Sequence, residues 1–143
     1  IWVSNHGGRQ LDGAIASFDA MTAITAALGA TSGSKCAVMM DGGVRRGSDI
    51  FKVRAHGGQA AAIGRAVLYG VSAGGEAGAR HALEILIDEL KRTMQLCGTP
   101  SVADITSHLV TANRGVEQES AELPVESINV VDTAAMERLR ARA

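Results

Sequence analysis

Three short apolar runs, each followed closely by a polar or charged residue or a glycine, constrain the fold of this chain more than any other feature. They are IWVS (residues 1–4), the start of CAVMMDGGVRRG (36–47) and the start of QAAAIGRAVLYG (59–70). Continuous apolar runs of this kind are typical of strands buried on both faces. Helical patterns separate them, so the order β-α-β-α-β-α predicts a parallel sheet, either half of a doubly wound sheet or part of a barrel.

The first helical pattern is SFDAMTAITAALGA, for which Ser17 is an N-cap candidate and Gly29 a stop signal. The second is SDIFKVRAHGG, with Ser48 or Asp49 as the cap and two glycines at its end. The third, EAGARHALEILIDELKRTMQLCG (residues 76–98), has an apolar face at five positions: Ala82, Ile85, Leu86, Leu90 and Met94.

The chain after these helices changes in character. SVADITSHLV (residues 101–110) predicts one more short helix, and the acidic stretch from about residue 113 predicts an exposed tail with a short helical end, TAAMERLRARA. The predicted organisation is therefore one α/β domain over residues 1–112, followed by a tail over residues 113–143.

Composition excludes several classes of function. The 14 basic and 15 acidic residues leave a net charge of −1, and aromatic residues are few, so a nucleic-acid partner is not expected. No apolar run approaches the roughly 20 residues of a membrane-spanning helix. Cys36 and Cys97 lack C-x-x-C spacing, which predicts buried thiols, no metal site and a reducing cytoplasm.

Two neighbouring strand ends combine glycines with an arginine. Asp41-Gly42-Gly43 is followed closely by Arg45, and the next strand ends in Gly64-Arg65. Glycine amides and guanidinium groups suit phosphate oxygens, and barrels commonly bind phosphate after their last two strands. The alternative is that these glycines only turn the chain and that the arginines are solvated.

The first strand ends in a loop that carries His6 and Arg9. Arg9 could hold a carboxylate with two hydrogen bonds while the His6 imidazole faces the adjacent carbon, an arrangement suited to removing a proton there. A loop histidine with no catalytic role is the alternative.

These motifs together resemble the FMN-dependent L-2-hydroxy acid oxidases and dehydrogenases, which include glycolate oxidase, lactate dehydrogenase and mandelate dehydrogenase. The resemblance rests on SNHGGRQLDG, DGGVRRGSDIFK and IGRAVLYG, in family order and spacing. It implies the last three βα units of a (β/α)8 barrel, with residues 1–4 as the sixth strand. It also implies a homotetramer, a cytoplasmic enzyme or one peripheral to the inner membrane, and a partner in the remaining barrel portion.

The resemblance also implies residue roles. His6 would be the catalytic base at the substrate C2 alcohol, Arg9 would bind the substrate carboxylate, and Ser4 would lie beside the flavin ring. The residues expected to hold the ribityl chain and phosphate of FMN are Asp41, Gly42, Gly43, Val44, Arg45, Gly64 and Arg65. A family aspartate that pairs with the histidine has no counterpart here, so the chain alone is expected to be inactive.

Two other functions fit parts of this pattern. One is another FMN barrel such as a type 2 isopentenyl diphosphate isomerase, although a diphosphate substrate does not require the His6 and Arg9 pair. The other is a non-catalytic half-barrel that binds a phosphate ligand or docks on a partner. The sequence does not choose among lactate, glycolate and mandelate, or among oxygen, a quinone and a cytochrome as electron acceptor.

Overall fold

A computed structural model describes residues 1–30 and 36–111 of the chain. Its three strands are β1 (Trp2–Val3), β2 (Met39–Met40) and β3 (Ala60–Ala61), which pair in parallel in the order β1-β2-β3. The predicted α/β fold with a parallel sheet is confirmed. The strands are shorter than the apolar runs that predict them, and their carboxyl ends meet along one edge of the sheet.

Three α-helices alternate with the strands: α1 (Ser17–Ala30), α2 (Gly47–Ala55) and α3 (Arg65–Leu96). Helix α1 contacts β1 and β2, whereas α2 lies between β3 and α3. This is the predicted β-α-β-α-β-α order, and each helix carries the chain back so that the next strand runs parallel to the last.

The core consists of two apolar clusters. The first joins the sheet to α1 and α2, with Met21 and Met40 almost completely buried; its members are Val3, Met21, Val38, Met40 and Val53. The second cluster joins α2 to α3 through Phe51, Ala55 and Ile105, against which Leu90 and Met94 pack.

The predicted helix boundaries need three corrections in α1 and α2. Helix α1 continues through Gly29 to Ala30, because a glycine weakens a helix without forcing it to end. Helix α2 begins at Gly47, so Ser48 is not its cap. Asp49 lies in the first turn instead, where its carboxylate accepts the backbone N–H groups of Arg45 and Arg46 at 3.0 and 2.9 Å.

Helix α3 differs most from the sequence prediction. It begins at Arg65 rather than near residue 76, and it bends sharply at Gly74 and Gly75, where the backbone leaves helical geometry. We call the segments of α3 before and after this bend its first and second arms. They cross so closely that a Cβ on Gly78 would overlap the carbonyl oxygen of Gly70. On the second arm Leu86 is buried but Ile85 is exposed, so the predicted apolar face is only partly correct.

Residues 101–110 form two 3-10 turns, Val102–Asp104 and Ser107–Leu109, instead of the predicted α-helix. Thr106 is extended between them and stops either turn from growing. Cys36 is exposed and Cys97 partly buried, so the expectation of two buried thiols is wrong. No helix in the described ranges is long and apolar enough to cross a membrane. The predicted tail over 113–143 lies outside the described residues.

Candidate active site

The loop after β1 holds His6 in an unusual backbone conformation. His6 has φ +54°, and the two glycines after it also have positive φ. Positive φ is uncommon for a residue with a side chain, costs roughly 1–3 kcal/mol and persists only where the surroundings impose it. Three polar contacts impose it here: Asn5 Oδ1 accepts the Gly7 N–H at 3.0 Å, Ser4 Oγ accepts the His6 N–H at 3.0 Å, and Ser17 Oγ accepts the Asn5 N–H at 2.9 Å.

Asp41 follows β2 and has both carboxylate oxygens engaged. Ser4 Oγ donates to Oδ1 at 2.6 Å, and Trp2 Nε1 donates to Oδ2 at 3.1 Å. Trp2 and Ser4 are two residues apart on an extended segment, so their side chains leave the same face. The first and second strand ends are thereby joined through one carboxylate.

Gly42 lies where no larger residue fits. It has φ +91°, and a Cβ there would be 2.7 Å from Asn5 Oδ1 and 3.0 Å from Ser17 Oγ. The backbone of the strand-end loop, which we define as residues 41–46, therefore lies directly against the groups that hold the His6 loop.

The strand ends enclose one side of a cleft of about 920 Å³. Three exposed arginines border it, one from each strand end, and Asp41 is the one acidic residue among its lining residues in the described ranges. Arg65 also bridges the ends of the sheet, because its Nη2 donates to the carbonyl oxygen of Gly7 at 3.2 Å. The predicted residues at this cleft are His6, Arg9, Asp41, Gly42, Gly43, Val44, Arg45, Gly64 and Arg65.

The backbone of this cleft offers hydrogen-bond donors. Within the described ranges, the N–H groups of Gly42, Gly43 and Val44 have no acceptor. Unpaired backbone donors beside arginines form a favourable site for an anion. A second ligand with a carboxylate could use Arg9 on the same rim, close to the His6 imidazole.

Comparison with known proteins agrees with this geometry. The profile of the family described as FMN-dependent dehydrogenase matches residues 1–112. The chain belongs to this family. It is 52% identical over 105 residues to the L-lactate oxidase of a Nostoc species, covering 73% of this chain and 28% of that protein. It is 45% identical over 114 residues to human 2-hydroxyacid oxidase 2, covering 80% of this chain and 31% of that protein.

Solved structures of the family superimpose on the same region. A lactate oxidase of Pediococcus acidilactici matches with a TM-score of 0.69 and 45% identity, over 75% of this chain and 29% of that one. A soluble mutant of the membrane-associated (S)-mandelate dehydrogenase of Pseudomonas putida matches with a TM-score of 0.69 and 39% identity, over 76% and 29%. The chain spans about three tenths of the length of these relatives.

The cleft has the chemistry that the cofactor of this family requires. FMN carries a phosphate, and the unpaired amides of residues 42–44 lie beside Arg45 and Arg65 on the same rim. The exposed Gly43 and Gly64 have no heavy atom within 4 Å of a Cβ built on them, so the chain leaves open space at both glycines. The residues therefore fit a phosphate-bearing ligand.

One predicted residue lies off the cleft, and seven lining residues are absent from the prediction. Ser4 does not line the cleft but contacts Asp41, so its position beside a flavin stays a prediction. The seven are Trp2, Gly7, Ala62, Ile63, Ala66, Leu68 and Tyr69. Helical periodicity could have found Tyr69, because it lies four residues after Arg65.

Among the described residues, no carboxylate contacts the His6 imidazole and no group of three or more His, Cys, Asp or Glu side chains could hold a metal. In the described ranges the cleft thus brings together a histidine, three arginines and a set of backbone donors. A carboxylate that would orient the imidazole is not among residues 1–30 and 36–111.

Proposed function

We propose that residues 1–112 form the last three βα units of a (β/α)8 barrel that oxidises an L-2-hydroxy acid to the 2-oxo acid with FMN. One observation carries the proposal: His6 and Arg9 line the same cleft as the backbone donors and arginines of the anion site. The match to FMN-dependent dehydrogenases over residues 1–112 supports it. So do relatives named L-lactate oxidase and 2-hydroxyacid oxidase.

The phosphate of FMN would be held by the strand-end loop and by Arg65. The N–H groups of residues 42–44 would donate to phosphate or ribityl oxygens, and the guanidinium groups of Arg45 and Arg65 would neutralise the charge. Asp41 would accept a ribityl hydroxyl, because Trp2 and Ser4 hold its carboxylate in one orientation and each oxygen has further acceptor capacity. FMN, when bound, supplies the acceptor for the electron pair that leaves the substrate.

The substrate would be oriented by Arg9 and deprotonated by His6. The planar guanidinium of Arg9 can hold the carboxylate through two parallel hydrogen bonds, which sets the C2 atom relative to the imidazole. His6 would then accept the proton of the C2 hydroxyl, while the hydrogen of the C2–H bond and its electron pair would leave for the acceptor that bound FMN supplies, so that the carbonyl forms. A neutral imidazole is required for this step, so protonated His6 cannot serve as the base.

The rest of the barrel and further copies of the protein are the proposed partners. Helix α3 exposes Leu83, Ile85 and Ile87, which supports burial of this helix against additional protein. Cys97 is a free cysteine, which supports a reducing compartment such as the cytoplasm.

The test is an absorbance measurement on the complete protein, purified with its flavin. Without oxygen, addition of L-lactate, glycolate or L-mandelate should bleach the flavin spectrum, and the substrate that bleaches it fastest names the specificity. L-Malate, which carries a second carboxylate, tests whether the cleft also accepts a dicarboxylic 2-hydroxy acid. A protein that holds FMN but is bleached by none of these acids would contradict the proposed oxidation, and a protein with no flavin would contradict the cofactor as well.

A further inference from the structure

Two consecutive arginines in the strand-end loop have different surroundings. Arg45 lines the cleft, whereas Arg46 does not. The Nη1 atom of Arg46 instead donates to Glu89 Oε1 of α3 at 2.9 Å, and its side chain is largely exposed. The two arginines therefore face different parts of the protein: Arg46 pairs with Glu89 on α3, whereas Arg45 faces the cleft.

The second carboxylate oxygen of Glu89 holds the start of α2. Glu89 Oε2 accepts the backbone N–H of Gly47 at 2.8 Å. Gly47 is buried against the α3 backbone, because a Cβ there would overlap the amide nitrogen of Leu90 and lie 2.5 Å from the carbonyl oxygen of Leu86. One side chain thus binds both the last residue of the strand-end loop and the first residue of the helix after it.

Other contacts fix the rest of this loop. Asp49 Oδ2 accepts the N–H groups of Arg45 and Arg46, and Asp41 is held by Trp2 and Ser4 at the opposite end. The N–H groups of residues 45–47 are therefore all bound by two carboxylates, whereas those of residues 42–44 are unpaired in the described ranges. In the strand-end loop, carboxylates therefore fix the backbone of residues 45 and 46, whereas residues 42–44 keep N–H groups that can donate to a ligand.

We propose that Glu89 is a positioning residue for phosphate recognition by the strand-end loop. It contacts no ligand; it fixes Arg46 and Gly47, so that Arg45 and the amides of residues 42–44 are already arranged before a phosphate arrives. A site that is arranged in advance loses less conformational freedom on binding. The proposal rests on the function proposed above, in which FMN supplies the phosphate.

The test compares two ligands that differ only in the phosphate. The dissociation constants of FMN and riboflavin are measured by flavin fluorescence on the complete protein, stripped of its cofactor, as wild type, E89Q and E89A. E84Q is the matched control, because Glu84 lies on the same helix, is exposed and, among the residues that the structure describes, forms an ion pair with His81 alone.

We expect E89A to weaken FMN binding by about tenfold or more, the loss typical of a hydrogen bond to a charged group, and riboflavin binding by less than about twofold. E89Q keeps the size of the side chain but loses its charge, so an intermediate loss of FMN affinity is expected. E84Q should match wild type with both ligands. If E89A does not fold, the selective loss in E89Q decides the matter.

Three results would overturn the proposal. Equal losses for FMN and riboflavin would indicate general damage to the fold. Unchanged FMN affinity in both Glu89 variants, with a wild type that prefers FMN to riboflavin, would remove the role of Glu89 alone. A wild type that shows no preference for FMN would overturn the phosphate site itself, and with it both this proposal and the proposed function.

Discussion

At the scale of single residues, His6 shows how the loop determines the chemistry. Its positive φ is maintained by contacts of Asn5, Ser4 and Ser17 with the loop backbone rather than by its own imidazole. Strained residues of this kind persist only where the surrounding structure fixes them. The position of the imidazole is therefore a property of the whole loop, which a spacing of three residues between His6 and Arg9 does not reveal.

A substitution at His6 should separate cofactor binding from chemistry. His6→Asn is the sharpest variant, because asparagine tolerates positive φ but cannot act as a base near neutral pH. We expect the complete protein to keep its flavin and to lose roughly 10²–10⁴-fold in the rate of flavin reduction by substrate. Stopped-flow absorbance without oxygen measures this rate. His81→Asn, at an exposed position of α3, is the control, and a loss below tenfold in His6→Asn would contradict a catalytic role.

Gly42 and Gly43 form a matched pair that measures the stability cost of placing a methyl group against the atoms that surround Gly42. Both have positive φ, at +91° and +81°, but only Gly42 has heavy atoms where a Cβ would lie. Gly43→Ala should cost about 1–2 kcal/mol of the free energy of unfolding, from backbone strain alone. Gly42→Ala should cost more, because its methyl group would displace Asn5 Oδ1 and Ser17 Oγ, which anchor the His6 loop. Urea unfolding measures the cost of both substitutions. Equal costs would show that the His6 loop shifts to accommodate the methyl group with no further loss of stability.

At the scale of elements, the sequence predicts the order of strands and helices well and their ends poorly. Apolar runs and helical periodicity are local, so β-α-β-α-β-α follows from them directly. The start of α2 at Gly47 instead depends on contact with α3, some 40 residues later in the chain, through Glu89. The first arm of α3 is absent from the sequence prediction because its apolar residues, AVLYG, continue the run that predicts β3, whereas packing of Gly70 against Gly78 stabilises it.

The junction of α2 with α3 should make stability depend on pH. The hydrogen bonds from the Gly47 N–H and then from Arg46 lower the pKa of Glu89 below its ordinary value of 4.5; desolvation opposes them, and the charge of Arg46 adds to the lowering. A carboxylate with a lowered pKa in the folded state stabilises the fold above its unfolded pKa, and this contribution disappears as the pH falls through the folded pKa.

We therefore expect the difference in free energy of unfolding between wild type and Glu89→Gln to be constant above about pH 5.5 and to shrink below the unfolded pKa. Urea unfolding followed by circular dichroism between about pH 3 and pH 7 measures it. Glu84→Gln removes an exposed carboxylate from the same helix and serves as the control. The same pH profile in both variants would show that the contacts of Glu89 do not contribute to stability.

At the scale of the whole molecule, the site is a product of the parallel sheet. The three strand ends are distant in sequence, but their order in the sheet brings Arg9, Arg45 and Arg65 to one cleft. Sequence motifs predicted this convergence because parallel strands share their carboxyl edge. They did not predict the bonds between the ends, such as Trp2 to Asp41 and Arg65 to Gly7, which depend on side-chain geometry across the sheet.

The described residues should not be sufficient for turnover. Within them His6 has no carboxylate partner, so nothing orients the imidazole or stabilises its protonated form, a role that a third group usually fills beside a catalytic base. A purified 143-residue chain of this sequence is therefore expected not to oxidise L-lactate, glycolate or L-mandelate. Supplying the rest of the proposed barrel as a second chain should restore both flavin absorbance and its bleaching by substrate. Turnover by the single 14.8 kDa chain would contradict this expectation, because it would place a complete catalytic site within one part of the barrel.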